Sequence, residues 1–571
     1  MRFCLSRYFM FSCSVLTLSC AFVSAHADET YQKQPSFYEK LPVPPKKGEI
    51  HYRTPSDPKV MNPVLSDDAY SGAVEEYLWM PLMSLDPDTL HFIPALAESY
   101  TVSDDKKSYT FHLNPKALWQ DGTPVTAEDI RFTYDLILNP KTHSAALRSY
   151  YAGISVTVKD SHTVVFHVKE PQFDNLFTLA TFKPIQAKQF KNSRDFNEDK
   201  GIMAPVGNGP YVLEKFERGQ KISFVRNKNW WGKDLATEKA RYNIDRVELE
   251  IISDTNLAYE RLIKGSIDDL DITPEQWVSK VNGVDKNKFS NTHTQSKSLW
   301  ALKESNKYPK PYSFIGWNSK NPIFQDKDTR KALSYLVDYK KINEKVMFNL
   351  SEQSTSPFGS FTKNSNQDLR SPTQIISYNT KKAAELLKAS GWKNEGGSTL
   401  VKNINGKQVP FQFTLDIVNI SPTATKIAQI LKEDLKVFGI QMNIRSLEWN
   451  SFLGKLEQRD FDAVMLGWTA TLFPNARQIW HSQSQALGGS NFVSYSNPTV
   501  DTLIDNANQE FNSEKRNNIM QKINTLIYED QPYTFLFEPK FVLEGLNTRI
   551  QSPKWLTEYA GGTASELFYF N

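Results

Sequence analysis

Between Phe411 and Trp468 the apolar positions change period repeatedly. Phe411, Phe413, Leu415 and Ile417 alternate like one face of a strand. Ile427, Ile430, Leu431, Leu435 and Phe438 then recur at helical spacing, opened by Ser421-Pro422 as a cap with proline at the first helical position and stopped by Gly439. Ile440, Met442 and Ile444 alternate again. Trp449, Phe452, Leu453 and Leu456 mark a second helix, and Phe461 to Trp468 is a nearly unbroken apolar run. The order strand, helix, strand, helix, strand predicts a parallel sheet with right-handed crossovers and places the last strand at its centre.

That last strand belongs to the stretch Phe461 to Asn475, which reaches Gly467 and Trp468 and then breaks into small polar residues, a proline and an asparagine. Strands buried on both faces read as continuous apolar runs, and in open parallel sheets ligands sit beyond the carboxyl ends of the strands. Gly467 lets a ligand backbone approach and Trp468 offers it a flat face. A core strand with an ordinary buried tryptophan fits the same residues.

Elsewhere the pattern is shorter-ranged. Glu49 to Arg53 reads as a strand, and Tyr77, Leu78, Trp79 and Leu82 as a helical apolar face. Thr126 and Asp129 form a capping pair for the helix carrying Ile130, Tyr134 and Ile137. Hairpins are predicted across Ser155 to Val168 and from Tyr211 through Gly219 to Arg226. Val247 to Ile251 is a strand, followed by a helix that Gly265 stops. The lysine- and serine-rich residues 279–311 read as loops and an irregular crossing, after which Phe314 to Asn318 begins a new unit. Two helices after Asn491 and a strand at Tyr533 to Phe537 complete the chain.

Composition narrows the class. The chain has 571 residues, 40% hydrophobic and 23% charged, in the range of a globular protein with a large core. Its first 27 residues stand apart: Arg2 and Arg7 precede the apolar run Phe9 to Val23, and Ala25-His26-Ala27 supplies a cleavage site, so export by a cleaved signal with a mature start at Asp28 is expected. Cys4, Cys13 and Cys20, the three cysteines, all fall within it, which leaves no thiol for disulfides, metal sites or nucleophiles in the mature chain. Leu18-Ser19-Cys20 has a passing likeness to a lipid-attachment box, but Thr17 stands where such boxes usually carry leucine. The formal net charge of +3 falls to +1 once Arg2 and Arg7 are removed with no acid lost, and so near-neutral a balance argues against nucleic acid as a partner.

Catalytic signatures are missing. Glu75-Glu76 and Asp268-Asp269 are adjacent acids, which a helix splays apart and a strand turns to opposite faces, so neither makes an acid–base couple. There is no H-E-x-x-H or G-x-S-x-G, and the nine histidines show no metal-ligand spacing. The turn Gly207-Asn208-Gly209-Pro210-Tyr211 leads into a strand rather than a helix N-terminus, unlike a phosphate loop.

Taken in order, Pro94 to Tyr100, Trp119 to Asp129, Gly207 to Tyr211 with Arg226-Asn227, Gly316-Trp317-Asn318, Arg330 to Leu333 with Val337-Asp338, and Leu435 to Ile440 with Phe461-Asp462 and Gly467-Trp468 resemble the extracellular solute-binding proteins of ABC importers, the dipeptide-, oligopeptide- and nickel-binding family (family 5). The resemblance implies an α/β, two-lobed periplasmic-binding-protein-like fold with hinge strands and an extra domain inserted in the first lobe. Lobe one would comprise 28–79, 204–311 and 536–571, the inserted domain 80–203, and lobe two 312–535, with crossings near 311 and 535.

The same resemblance implies site residues. Gly467, Trp468, Thr469 and Thr471 would line the cleft, where a ligand main chain pairs as an added strand. Trp449 and Trp468 match two cleft tryptophans, although Trp449 fits an ordinary amphipathic helix equally well. Peptide-binding relatives carry an aspartate three residues after the second tryptophan, facing the ligand α-ammonium; here Thr471 offers a hydroxyl and no charge, so another anion is needed or the ligand lacks that amine. Asp67 and Asp68 are candidates, with a solvated loop as the bland reading. Apart from the resemblance, the i, i+4 spacing of Arg477 and His481 would let them hold a carboxylate from one helical face, with a surface helix as the bland reading.

The expected function is capture of a peptide or peptide-like ligand by a monomeric periplasmic receptor, with delivery to an inner-membrane ABC permease and its ATPase subunits, and with no cofactor. The alternatives are a receptor for a metal chelate or haem with His481 as ligand, a secreted peptide or glycan hydrolase, and a periplasmic chaperone or sensor using the same cleft.

Overall fold

A computed structural model describes residues 31–190, 196–198, 203, 205–281, 290–294, 297–305, 307–359, 375–469, 472–559 and 563–570. The expected signal segment and Thr471 lie outside the described residues. Among those described, no helix is long and apolar enough to cross a membrane.

Three sheets organise the chain. The largest has eight strands in the order Ser290–Thr294, Lys297–Glu304, Val542–Asn547, Asp269–Asp271, Glu49–Thr54, Arg246–Ile251, Lys221–Arg226 and Tyr211–Glu217. A four-stranded antiparallel sheet is built from Ala97–Val102, Ser108–Leu113, Thr163–Val168 and Ile154–Asp160, the last two being the hairpin expected around Asp160-Ser161. Its helix Ala127–Leu138 opens on the Thr126/Asp129 capping box and buries Ile130, Tyr134 and Ile137. One continuous core runs from Ile50 and Phe224 on the large sheet to Phe111 and Phe166 on the small one.

The third sheet carries the pattern that dominated the sequence. Its order is Gln441–Leu447, Gln412–Val418, Ala463–Trp468, Tyr312–Trp317 and Tyr533–Phe535, so Ala463–Trp468 is the middle strand of five. Ser421 caps the helix Pro422–Val437 by accepting from Ala424 N at 3.1 Å, and Gly439 just beyond it adopts φ +73°, a left-handed conformation that costs glycine nothing. Two apolar clusters fill the two faces, one around Phe413, Leu415 and Leu431 and the other around Phe314, Trp480 and Tyr533.

Three readings of the pattern need correction. The sheet is mixed rather than parallel: Gln412–Val418 runs parallel to both of its neighbours, but Tyr312–Trp317 lies antiparallel to Ala463–Trp468. Residues 279–311 hold two strands, Ser290–Thr294 and Lys297–Glu304. The second pairs with Val542–Asn547 from Leu299↔Asn547 to Glu304↔Val542 and buries Leu299, Ala301 and Leu302; its partner lies over 200 residues away, and surrounding lysines mask the apolar face. The helix Ala69–Leu78 ends earlier than its apolar face suggested, with Trp79 already extended.

The chain passes between the large sheet and the five-stranded one twice, after Glu304 and again between Phe535 and Val542. Near the second crossing Phe537–Pro539 pairs with Ser351–Gln353.

Candidate functional site

The site is built around an incomplete pairing. Tyr312–Trp317 covers one edge of Ala463–Trp468 throughout, up to Tyr312↔Trp468. On the other edge Gln412–Val418 pairs only at Leu415↔Ala463 and Asp416↔Val464, so from Met465 to Trp468 that edge has no strand partner among the described residues. Backbone donors and acceptors left open in this way are a template for an extended chain.

Cavities lie on both sides of the open strand end. One of about 630 Å³ is lined by Asp67, Asp68, Trp449 and Asp174; another of about 660 Å³ lies towards the chain crossings and Val418. Tyr312, Leu466, Gly467, Trp468 and Thr469 border both. Gly467 is exposed and adds no side chain to the gap, while a Cβ there would stand 3.2 Å from the Tyr312 carbonyl oxygen.

Trp468 is half-buried at the end of an aromatic stack. Its ring lies 17° from the plane of Phe314 and 29° from that of Phe492, and Nε1 donates to the Tyr533 hydroxyl at 3.3 Å. Tyr533 lies flat on Phe314, centroids 3.9 Å apart. The tryptophan is therefore both an anchored member of the core and a wall of the cleft.

Trp449 begins the helix Trp449–Gln458 and reaches the other half of the molecule. Its Nε1 donates to Asp68 Oδ1 at 3.3 Å, and its ring meets Tyr70 edge-on at 5.0 Å. Asp68 is buried as the N-cap of Ala69–Leu78, accepting from Tyr70 N at 3.0 Å and Ser71 N at 3.2 Å. Asp67 lies 3.9 Å from Lys59, which also bonds Glu457 of the opposing half. Burial outweighs the pull of Lys59 and pushes the Asp67 carboxyl up to about 6.

Further contacts tie the halves together around the cavity. Ser56 Oγ donates to Glu448 at 3.2 Å, Lys426 to Glu275 at 2.6 Å, and Asn475 Nδ2 to Asp174 at 2.6 Å, while Phe177 packs on Phe473 at 4.9 Å. Asp174, Phe177 and Tyr150, which hydrogen-bonds Gln478, line the cavity without any signal in the sequence pattern. They lie some three hundred residues from their partners, a separation no local periodicity reports.

Arg477 and His481 do converge on one carboxylate, but it belongs to the chain itself. The helix is only Arg477–Trp480; Arg477 bonds Asp505, and His481 Nε2 stands 3.6 Å from the same group. Arg477 borders a separate space of about 530 Å³, not the two cavities that share Trp468. His481 is buried, and its Nδ1 accepts from Gln483 N at 3.1 Å. Burial, and then Arg477, depresses its pKa. It therefore does not face the cleft as a metal-chelate or haem ligand would.

Glu49, His51 and Glu248, on the eight-stranded sheet, are close enough together to suggest a cation site. Glu248 is already neutralised by Lys221 and Arg246, each at 2.9 Å.

A cleft between two α/β sheets, bordered by an open strand edge and indole faces, defines a binding protein of two-lobed architecture. The sequence pattern of bacterial extracellular solute-binding proteins, family 5 Middle, matches residues 91–489, and the chain belongs to that family. It is 27% identical over 532 residues to the oligopeptide-binding protein AppA of Bacillus subtilis (strain 168), covering 92% of each chain. The structure of AppA from Bacillus subtilis in complex with a nonapeptide superposes with a TM-score of 0.80 at 26% identity, over 92% of this chain and 100% of that one. NikZ from Campylobacter jejuni in complex with Ni(L-His) (TM-score 0.74, 23% identity) and DppA from Helicobacter pylori in complex with peptide STSA (0.77, 18%) each match 92% of this chain and 98% of their own, and at those identities they speak to the fold alone. These relatives are binding proteins rather than enzymes.

Proposed function

We propose that this protein is an exported receptor that captures a peptide or peptide-like ligand between its lobes and delivers it to an inner-membrane ABC permease driven by separate ATPase subunits. The observation that carries the reading is the open edge of Met465–Trp468 within a cleft that continues to either side of it. An extended ligand backbone bonds to that edge whatever its side chains, which gives affinity tolerant of sequence. The similarity to AppA, whose structure holds a nonapeptide, points the same way.

In this reading Gly467 and Thr469 present backbone, Trp468 presents its ring, and Trp449 with Asp67 and Asp68 closes the far wall. Arg477, bound to Asp505 beside a separate space, does not touch ligand. Lobe one comprises 28–79, 204–311 and 536–571, with 80–203 inserted, and 312–535 forms lobe two. Ligand that contacts both lobes favours the closed arrangement by its differential affinity, and only that difference drives closure.

Mass spectrometry of acid-extracted, freshly purified protein tests the proposal. Recovery of short peptides supports it. Recovery of a metal chelate, or of cleavage products when the protein is incubated with a peptide pool, overturns it.

A further inference from the structure

Asp174 is a buried carboxylate of the cleft that makes no ion pair among the described residues. Asp174 is 7% exposed and lines the 630 Å³ cavity. Its one side-chain partner among the described residues is the neutral amide of Asn475, on Oδ2 at 2.6 Å; Oδ1 accepts from no other described residue. An ionised carboxylate held so deep costs several kcal/mol unless a cation offsets it.

The other charges in this cavity are already committed. Asp67 and Glu457 share Lys59. Asp68 caps a helix and accepts from Trp449. The Arg459 guanidinium donates to the backbone carbonyls of Leu456, Ala486 and Gly489 at 2.6–2.8 Å. Nearby, Arg477 is bound to Asp505, while Arg516 donates to the Glu510 carbonyl at 2.9 Å and lies over the Phe173 ring. Neither arginine reaches ion-pair distance of Asp174 among the described residues; burial pushes its pKa up and outweighs the Asn475 hydrogen bond and the more distant pull of Arg516 and Arg477.

Building on the peptide reading above, we propose that Asp174 anchors a single ligand ammonium and thereby sets the specificity of the cleft. One oxygen that accepts from no other described residue suits a compact point charge better than a guanidinium fork, which wants two. Asn475 holds the carboxylate across the cleft, so the anchor is assembled only when the segment around Phe173 meets the loop after Trp468. The ammonium comes either from a peptide α-amine or from a lysine side chain.

Three synthetic nonapeptide pools separate these sources: a free-amine pool without lysine, arginine or histidine, its N-acetylated copy, and an N-acetylated pool with one lysine per peptide. Titration calorimetry on the wild type is expected to show the free-amine or the lysine pool binding at least about tenfold more tightly than the acetylated, lysine-free pool. Asp174→Asn, nearly isosteric, should bring all three within about twofold; Asp174→Ser serves the same purpose if that variant does not fold. Equal binding of the three pools by the wild type, or a preference that survives in the Asp174 variants, overturns the anchor and leaves the peptide reading standing. Failure of every pool to bind overturns both.

Discussion

The Trp449 indole donates a 3.3 Å hydrogen bond to the Asp68 carboxylate, joining the first residue of a helix on the five-stranded sheet to the cap of a helix beside the eight-stranded one. Asp68 has work on its own side whether or not Trp449 is near, because it holds the N–H groups of Tyr70 and Ser71. The two partners should therefore respond differently to substitution. Trp449→Phe keeps an aromatic ring against Tyr70 but loses the N–H, and should weaken nonapeptide binding about fivefold, roughly 1 kcal/mol, with little change in Tm. Asp68→Ala also removes a helix cap worth about 1 kcal/mol, so Tm should fall as well. Titration and scanning calorimetry on the same samples separate the two effects.

Trp468 divides its contacts between core and cleft, so its variants should split too. Trp468→Ala removes the stacking on Phe314 and Phe492 and should weaken peptide binding at least tenfold, about 1.4 kcal/mol. It should also destabilise the free protein by about 2 kcal/mol, less than the loss of a fully buried aromatic. Trp468→Phe retains much of the stack and loses the bond to Tyr533, so most of the stability should return. A large drop in Tm with unchanged affinity would make Trp468 a core residue only.

The residues of the five-stranded sheet were legible because each element there carries its own period and its own stop signals. The middle strand, the Ser421-Pro422 cap and the Gly439 stop all follow from neighbours within a few positions. Lys297–Glu304 was not legible, since its apolar face makes sense only once Val542–Asn547 lies beside it. The antiparallel entry of Tyr312–Trp317 is likewise a fact of topology, not of periodicity. For the site, Gly467 and Trp468 announced themselves by ending an apolar run. Asp174 did not: an acid in the polar stretch Glu170 to Asn175 looks solvated until Asn475 is brought onto it. Arg477 and His481 had the right spacing and the right target chemistry, but the carboxylate they hold is Asp505.

Asp67 makes stability depend on pH in a predictable direction. Its carboxyl is pushed up to about 6 by burial, above the ordinary aspartate value of about 4 that it regains on unfolding. The folded state thus binds a proton more tightly than the unfolded one, and stability falls as pH rises between those two values. With the side chain still 32% exposed and Lys59 close by, the effect should be modest. Asp67→Asn should match the wild type in Tm near pH 4 and exceed it by a degree or two above about pH 6, measured by thermal melts at constant ionic strength. A difference that does not change with pH would show that Asp67 is solvated in the folded protein.

Asp269 and Glu544 set up a stronger version of the same effect behind the cleft. They lie on neighbouring antiparallel strands, 8% and 5% exposed, and Thr563 Oγ1 donates to Glu544 at 2.7 Å. Burial raises both carboxyls, and their proximity raises Asp269 further because two buried carboxylates so close cannot both ionise. Asp269 therefore keeps its proton and gives it to a hydrogen bond with Glu544, whose own pKa is pushed up to about 7. Unfolding returns both groups to the ordinary carboxylate range, so the folded protein holds excess protons at neutral pH and loses stability as pH rises towards 8. Glu544→Gln keeps an acceptor for the Asp269 proton and removes one charge. It should leave Tm unchanged near pH 5 and raise it by about 2–3 °C at pH 8, each kcal/mol being worth about 1 °C in a protein of this size. Scanning calorimetry of both proteins across that range checks the slope. A variant less stable than the wild type at pH 8 would mean that the Glu544 carboxylate is held by a cation and not by a shared proton.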